Sequence, residues 1–365
     1  MVWRLMLQPA FVALLLLIGA GLCPCSAGAA AVPNTTPKPP RVGFVYVGPV
    51  SDVGWSWAHD QGRQKLIKEM GVETSYMEKV AEGPDAERAL RTLAAKGCQV
   101  IFATSFGYMD SVIKVAKEFP AIKFEPCTGY KRAENVSIYD GRGYECWYLA
   151  GLVAGKMTKK NVIGYVMPYP IPECTRNSNA FTLGARSVNP RVTCRIVTIN
   201  SWFDPVKERE AAQALIDAGV DVLARESDSN AADQLADQRG VLAIGYNSVS
   251  PNSPSVLTAP VWDWSVYYRQ VVRNWRDGKW QSRDYWGGIR DGIIDLAPIN
   301  SKVPADVRAL VAAKRDAIRN GKFQPFGGPI KDRNGTVRVN AGLTLSDEML
   351  RSMDWQVDGI VGTSE

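Results

Sequence analysis

Apolar and polar positions follow two rhythms along this chain, and the succession of rhythms occurs twice. Short apolar runs bounded by turn residues fall at 42–48, 73–80, 99–106, 121–125 and 135–139. They fall again at 162–167, 192–200, 221–226, 241–247 and 255–259, each about 120 residues after its counterpart. Runs of this kind predict strands buried in parallel sheets. Between them, a helical period predicts helices over 58–70, 84–96, 109–119, 144–159, 205–218, 228–238, 264–277, 304–320 and 346–353. The punctuation agrees. Pro84 opens one helix and Gly97 follows it, Asp204 is placed as an N-cap, and Gly219 follows that helix. Gly151 and Gly155 mark the helix joining the two series as one that packs closely, and the turn-rich stretch 323–338 predicts a surface hairpin. Two βαβ series predict an α/β protein of two Rossmann-like lobes joined by a multi-crossing hinge. Residues 41–140 with about 263–295 are assigned to an N-terminal lobe, and 141–260 with about 296–355 to a C-terminal lobe. Ligands bind outside the carboxyl ends of such strands, so function is expected in the cleft between lobes.

The first residues belong to a different pattern. Arg4 is followed by an uncharged apolar run over 10–22 and then by Ala27-Gly28-Ala29, which predicts a secretory signal peptide over 1–29. Residues 30–40 form a flexible lead-in. Cys23 suggests a lipid anchor, but Leu22 stands where lipidation favours a small residue, so a free periplasmic protein is the preferred reading. What remains is too long for one ordinary core. A formal net charge of +6, with both signs mixed along the helices and no basic stripe interleaved with aromatics, gives no expectation of nucleic-acid binding. A monomer is expected. Five of the seven cysteines lie beyond the signal segment, with no zinc or thioredoxin spacing. Cys127 with Cys146, and Cys174 with Cys194, would each close a short loop; the alternative is that each is a small buried hydrophobe.

Candidate chemistry gathers at strand ends. The stretch from Tyr46 to His59 follows the first strand and holds Trp55, Ser56 and Trp57 around Gly48, Pro49 and Gly54. An indole there suits a flat aromatic ligand, with hydroxyls and carboxylates reading its edge. His59 is the only histidine, so multi-histidine metal sites are excluded, and no nucleophile elbow, metalloprotease pair or phosphate loop accompanies it. Neither a cofactor nor a catalytic residue is expected. Ser105 and Phe106 end the third strand of the first series; Glu226 and Asp228 end its counterpart. Asn247 ends the next strand, and Trp262 and Asp263 follow the last. Glu173 closes a proline-rich loop that holds, in the second series, the place of the tryptophan loop. For Asp228 and Asp263, helix capping is an equal alternative to ligand contact.

These residues resemble the basic membrane protein family of periplasmic ABC-transporter substrate-binding proteins. The likeness rests on residues 52–62, 104–108, 128–135, 150–156, 179–186, 286–289 and 328–331, and extends over nearly all the chain beyond the signal segment. The resemblance implies the type I periplasmic binding protein fold, capture of a purine base or nucleoside and delivery to an ABC importer permease. In nucleoside-binding members a loop aromatic stacks on the base; Trp55 matches it, and Ser56 stands where the pattern has Asn. Tyr46 stands where those members have an acidic residue on the base. Asn247 replaces a ribose-binding Asp, and Trp262 replaces a Lys that helps hold the ribose. Losing sugar-holding groups while gaining bulk implies a smaller flat ligand, with adenine favoured. Trp55 is expected to stack on it, with Phe106 or Trp262 opposite and Tyr46, Ser56, Asp228, Asn247 and Asp263 reading its edge. A sensor that presents its ligand to a membrane receptor is the main alternative, and a nucleoside-processing enzyme a weaker one.

Overall fold

The computed structural model describes residues 39–51, 53–249 and 253–362; the expected signal segment and Asp52 lie outside them. The first series forms β1 (Val42–Val45), α1 (Trp55–Met70), β2 (Thr74–Met77), α2 (Pro84–Ala95), β3 (Val100–Ala103), α3 (Met109–Glu118) and β4 (Lys123–Pro126). Its strands are parallel in the order β2-β1-β3-β4. Next come β5 (Ile138–Gly141) and α4 (Gly143–Met157), which lead into the second series. That series runs β6 (Val162–Met167), α5 (Pro172–Val188), β7 (Thr193–Thr198), α6 (Pro205–Asp217), β8 (Val222–Arg225), α7 (Ala231–Arg239) and β9 (Leu242–Ile244). Its strands repeat the order as β7-β6-β8-β9, again parallel. In both sheets the chain turns from one side of the first strand to the other, which opens a crevice at the carboxyl ends. β1, β3 and β8 are buried along their whole length, as sheets covered on both faces require.

The remaining elements are β10 (Pro260–Trp262), α8 (Ser265–Arg276), β11 (Asp284–Gly287), β12 (Ile294–Leu296), α9 (Ala305–Arg319), β13 (Ile330–Lys331), β14 (Val337–Val339), α10 (Asp347–Arg351) and β15 (Ile360–Val361). They return to both sheets. α8 packs on α1 and β11 pairs with β5, whereas α9 packs on α4 and α10 on α5. β10 and β12 pair antiparallel between these groups. β15 adds to the outer edge of β7, so the second sheet recruits residues beyond 355. β13 and β14 form the expected antiparallel hairpin.

One long helix departs from the sequence reading. α5 was not expected, because its polar sequence hides any apolar period: Thr175, Arg176, Asn177, Ser178, Asn179 and Thr182 are all buried. Hydrogen bonds offset the burial of most of them. Asn179 Nδ2 donates to the Trp355 carbonyl at 2.8 Å, and Thr182 Oγ1 to the Ser178 carbonyl at 2.9 Å. α5 lies against α4 closely enough that a Cβ at Gly151 would stand 2.1 Å from the Phe181 carbonyl oxygen, and one at Gly155 2.4 Å from that of Ala185. The close packing expected of those glycines is present. α1 also starts earlier than its apolar pattern, at Trp55. In place of a strand over 255–259 there is only an isolated bridge at Val256, and the pairing moves to β10.

Cys98, Cys127, Cys146, Cys174 and Cys194 are all free and buried, so neither expected disulfide forms. Each thiol faces its own surroundings: Cys174 beside Glu226, Cys194 beside Thr182, Cys127 beside Tyr139. They serve as small core residues, and burial pushes each of these thiols up in pKa.

Candidate functional site

A cavity of about 420 Å³, counting its mouth, opens where the carboxyl ends of the two sheets face each other. The first lobe lines it with Val47, Trp55, Ser105, Phe106 and Thr128; the second with Glu173, Cys174, Trp202, Glu226, Asp228 and Tyr246. The lobes meet beside it. Trp55 N–H donates to Asp228 Oδ1 at 2.8 Å, and Ser248 Oγ donates to the Val53 carbonyl at 2.6 Å. At Gly54 a Cβ would lie 2.5 Å from the Asp228 carbonyl oxygen, so only glycine permits this approach.

Trp55 stands in the first turn of α1 and is pinned. Its indole N–H donates to the Thr104 carbonyl at 2.6 Å, and its ring meets Trp264 edge-on at 5.2 Å and His59 at 4.6 Å. Ring orientation is therefore set before any ligand arrives. Trp57 follows two residues later, and a helix turns it roughly 200° away, so it does not line the cavity. On the second lobe, Trp202 follows β7, paired with Tyr169 at 4.9 Å. Tyr246 follows β9 and stacks on Trp147.

Carboxylates line the second lobe's wall. Glu226 accepts from Tyr165 Oη at 2.7 Å and from Asn177 Nδ2 at 2.6 Å. Burial raises its pKa, and those hydrogen bonds moderate the rise. Glu173 sits in the first turn of α5, its pKa pushed well up by burial, then by the nearby Asp140 and Glu226. Ser105 Oγ donates to Glu82 Oε1 at 2.6 Å at the first lobe's rim.

Of the expected site residues, Trp55, Ser105, Phe106, Glu173 and Asp228 are brought together on the cavity; Tyr46, Ser56, Trp57, Asn247, Trp262 and Asp263 are not. Tyr46 is fully buried, with its hydroxyl 3.3 Å from Asp60 Oδ1. Ser56 Oγ accepts from Gly48 N–H at 2.9 Å and shapes the loop. Asn247 adopts positive φ next to Tyr246, its amide buried without a partner among the described residues. Trp262 stacks on Trp264 at 4.6 Å and covers Gly141, where a Cβ would lie 2.0 Å from its ring. Asp263 accepts from Ser265 and pairs with Lys65 at 2.9 Å, a helix-start role; Asp228 instead bridges to Trp55. His59 is fully buried between Trp264 and Tyr268, and burial holds it neutral, well below its usual pKa. Sequence reasoning missed Trp202, Thr128, Cys174 and Tyr246 as site residues. The rule that strand ends carry function, applied to β4, β7 and β9, would have found Thr128, Trp202 and Tyr246.

Residues 40–322 match the model of the Bmp family, described as ABC transporter substrate-binding protein, PnrA-like. The chain belongs to that family. It is 44% identical over 324 residues to the purine-binding protein of Brucella abortus (strain 2308), covering 88% of this chain and 92% of the other. It is 42% identical over 288 residues to a Haloferax volcanii protein provisionally named an ABC transporter glucose-binding protein, covering 78% and 73%. Among solved structures, an ABC transporter solute-binding protein from Conexibacter woesei superposes with a TM-score of 0.66 at 23% identity, covering 78% of this chain and 97% of that one. The fold is that of type I periplasmic binding proteins. Family and fold are those of substrate-binding proteins that take a small-molecule ligand and work with a transporter permease, outside the cytoplasm. No helix among the described residues is long and apolar enough to cross a membrane.

Proposed function

We propose that this protein captures a purine base, adenine favoured over other bases and over nucleosides, in the interlobe cavity and delivers it to an ABC importer from the periplasm. One observation carries the reading: indoles from both lobes, Trp55 and Trp202, line the same small cavity as Glu173, Glu226 and Asp228. Aromatic walls suit a flat ligand, and carboxylates accept from ring and exocyclic N–H groups. Trp55 and Trp202 stack on the ring, Phe106 closes one side, and Ser105 and the carboxylates read the edge. Trp262 supports the free base, since it stands at the position where the family resemblance has a sugar-holding lysine and its ring packs on Gly141 instead. The purine-binding name of the Brucella relative supports the same reading. The glucose-binding name of the Haloferax relative offers a second, because carboxylates also accept from sugar hydroxyls.

Only a ligand that favours the closed arrangement can hold the lobes together, so affinity and closure rise together. Calorimetry on the purified chain with adenine, guanine, hypoxanthine, adenosine and glucose tests the proposal, alongside mass spectrometry of any ligand released on unfolding. Adenine should bind tightest. Binding of glucose with no purine bound at any concentration would overturn it.

A further inference from the structure

Glu173 differs from the other two carboxylates of the cavity in having nothing to hold it. Glu226 accepts from Tyr165 and Asn177, and Asp228 from the Trp55 N–H. No hydrogen bond or ion pair reaches the Glu173 carboxyl among the described residues. Nearby cations make no ion pair with it, although the Arg176 charge favours its ionised form and offsets part of the rise. Arg176, one helical turn on, lies 3.8 Å from Asp140 Oδ2 and donates to the Leu350 carbonyl at 3.0 Å; Arg351 on α10 pairs with Asp284 at 2.8 Å. The other titratable groups around Glu173 are carboxyl, thiol or phenol: Asp140 on β5, Glu226 and Asp228 after β8, Tyr246 after β9, Cys174 beside it on α5, and Cys127 after β4. A carboxyl crowded by carboxylates, unpaired and walled by Trp55, Phe106 and Trp202 holds its proton more readily than Glu226, whose ionised form accepts two hydrogen bonds.

We propose that Glu173 recognises adenine as a neutral carboxylic acid, its O–H donating to a ring nitrogen while its C=O accepts from the adjacent N–H. This rests on the purine reading and names the residue that chooses among purines. Every edge of adenine sets a donor beside an acceptor, the pattern that a protonated carboxyl or an amide complements in two parallel hydrogen bonds. An ionised carboxylate has acceptors only, and would press a lone pair against adenine's ring nitrogen. Guanine presents two neighbouring donors on one edge and suits the ionised form. A buried carboxylic acid kept neutral so that it can donate is established chemistry for protein sites.

Adenine affinity should therefore be highest below the Glu173 titration and fall about tenfold as pH rises through it, compared by calorimetry at about pH 5 and about pH 9. Guanine should not lose affinity over that range. Glu173→Gln supplies the same donor and acceptor permanently. It should raise adenine affinity at the higher pH about fivefold above the wild type and abolish Glu173's share of the pH dependence; Glu226 and Asp140 titrate in both proteins. Glu173→Ala should lose about tenfold at the lower pH with an unchanged melting temperature. If the wild type binds adenine equally at both pH values, or Glu173→Gln weakens binding as Glu173→Ala does, the inference is overturned and the purine reading stands. If the wild type binds no purine at either pH, the purine reading falls as well.

Discussion

The two lobes share one scaffold and give the cavity opposite chemistry. Each has the strand order second-first-third-fourth, and each presents residues at matching distances past its strands. Trp55 and Glu173 both stand in the first turn of the helix after the first strand. Phe106 and Asp228 both stand three residues beyond the third strand, and Thr128 and Tyr246 two beyond the fourth. At the first two positions the first lobe offers a ring where the second offers a carboxylate. All five first-lobe lining residues are uncharged, and the three lining carboxylates belong to the second lobe. A repeated backbone thus fixes where side chains point, while substitution on each copy decides whether a wall supports a ring or reads its edge.

This division can be broken most completely at the seam. Gly54→Val should lower adenine affinity about a hundredfold by calorimetry while leaving circular dichroism unchanged, because a side chain would collide with Asp228 of the facing lobe and hold the lobes apart. Trp55→Ala removes the first lobe's indole and should cost about tenfold. Trp202→Ala removes the second lobe's indole and should cost about fivefold, less because Trp55 is held by a hydrogen bond and two edge-on rings. Equal affinity in either tryptophan variant would remove that wall from the stacking assignment.

The smallest effect lies outside the cavity and concerns stability. Glu125 on β4 is fully buried, accepting from Trp280 Nε1 at 2.7 Å and Tyr267 Oη at 2.8 Å, and burial pushes its pKa up to about 7. A folded-state pKa above the unfolded one means that the folded protein binds the extra proton. That contribution is complete below the unfolded pKa and is lost as pH rises through the folded value. Thermal unfolding should show about 1 kcal/mol less stability at about pH 8 than at about pH 6 from this group, and Glu125→Gln should flatten that slope. Glu145, at the start of α4, has a pKa likewise pushed up to about 7 by burial and adds a slope of the same sign.

The chain's periodicity carried the doubled βαβ plan, nearly every helix and the location of function at strand ends, since burying an apolar face leaves its period in the residues. Ser105, Phe106 and Asp228 reached the cavity from two or three residues past a strand end, and Trp55 and Glu173 from the first turn of the helix that follows one. Three decisions needed the tertiary structure. α5 is helical because its polar side chains find partners on Glu226 and the C-terminal segment while its backbone packs on α4, and such partners are distant in sequence. Trp262 turned from cavity wall to core because Gly141 and Trp264 offered it a face. Glu173 stands unpaired among carboxylates because elements as far apart as β5, β8 and α10 converge there and commit the neighbouring arginines elsewhere. Local pattern records which surfaces must be buried; which group faces which is settled only when remote segments pack.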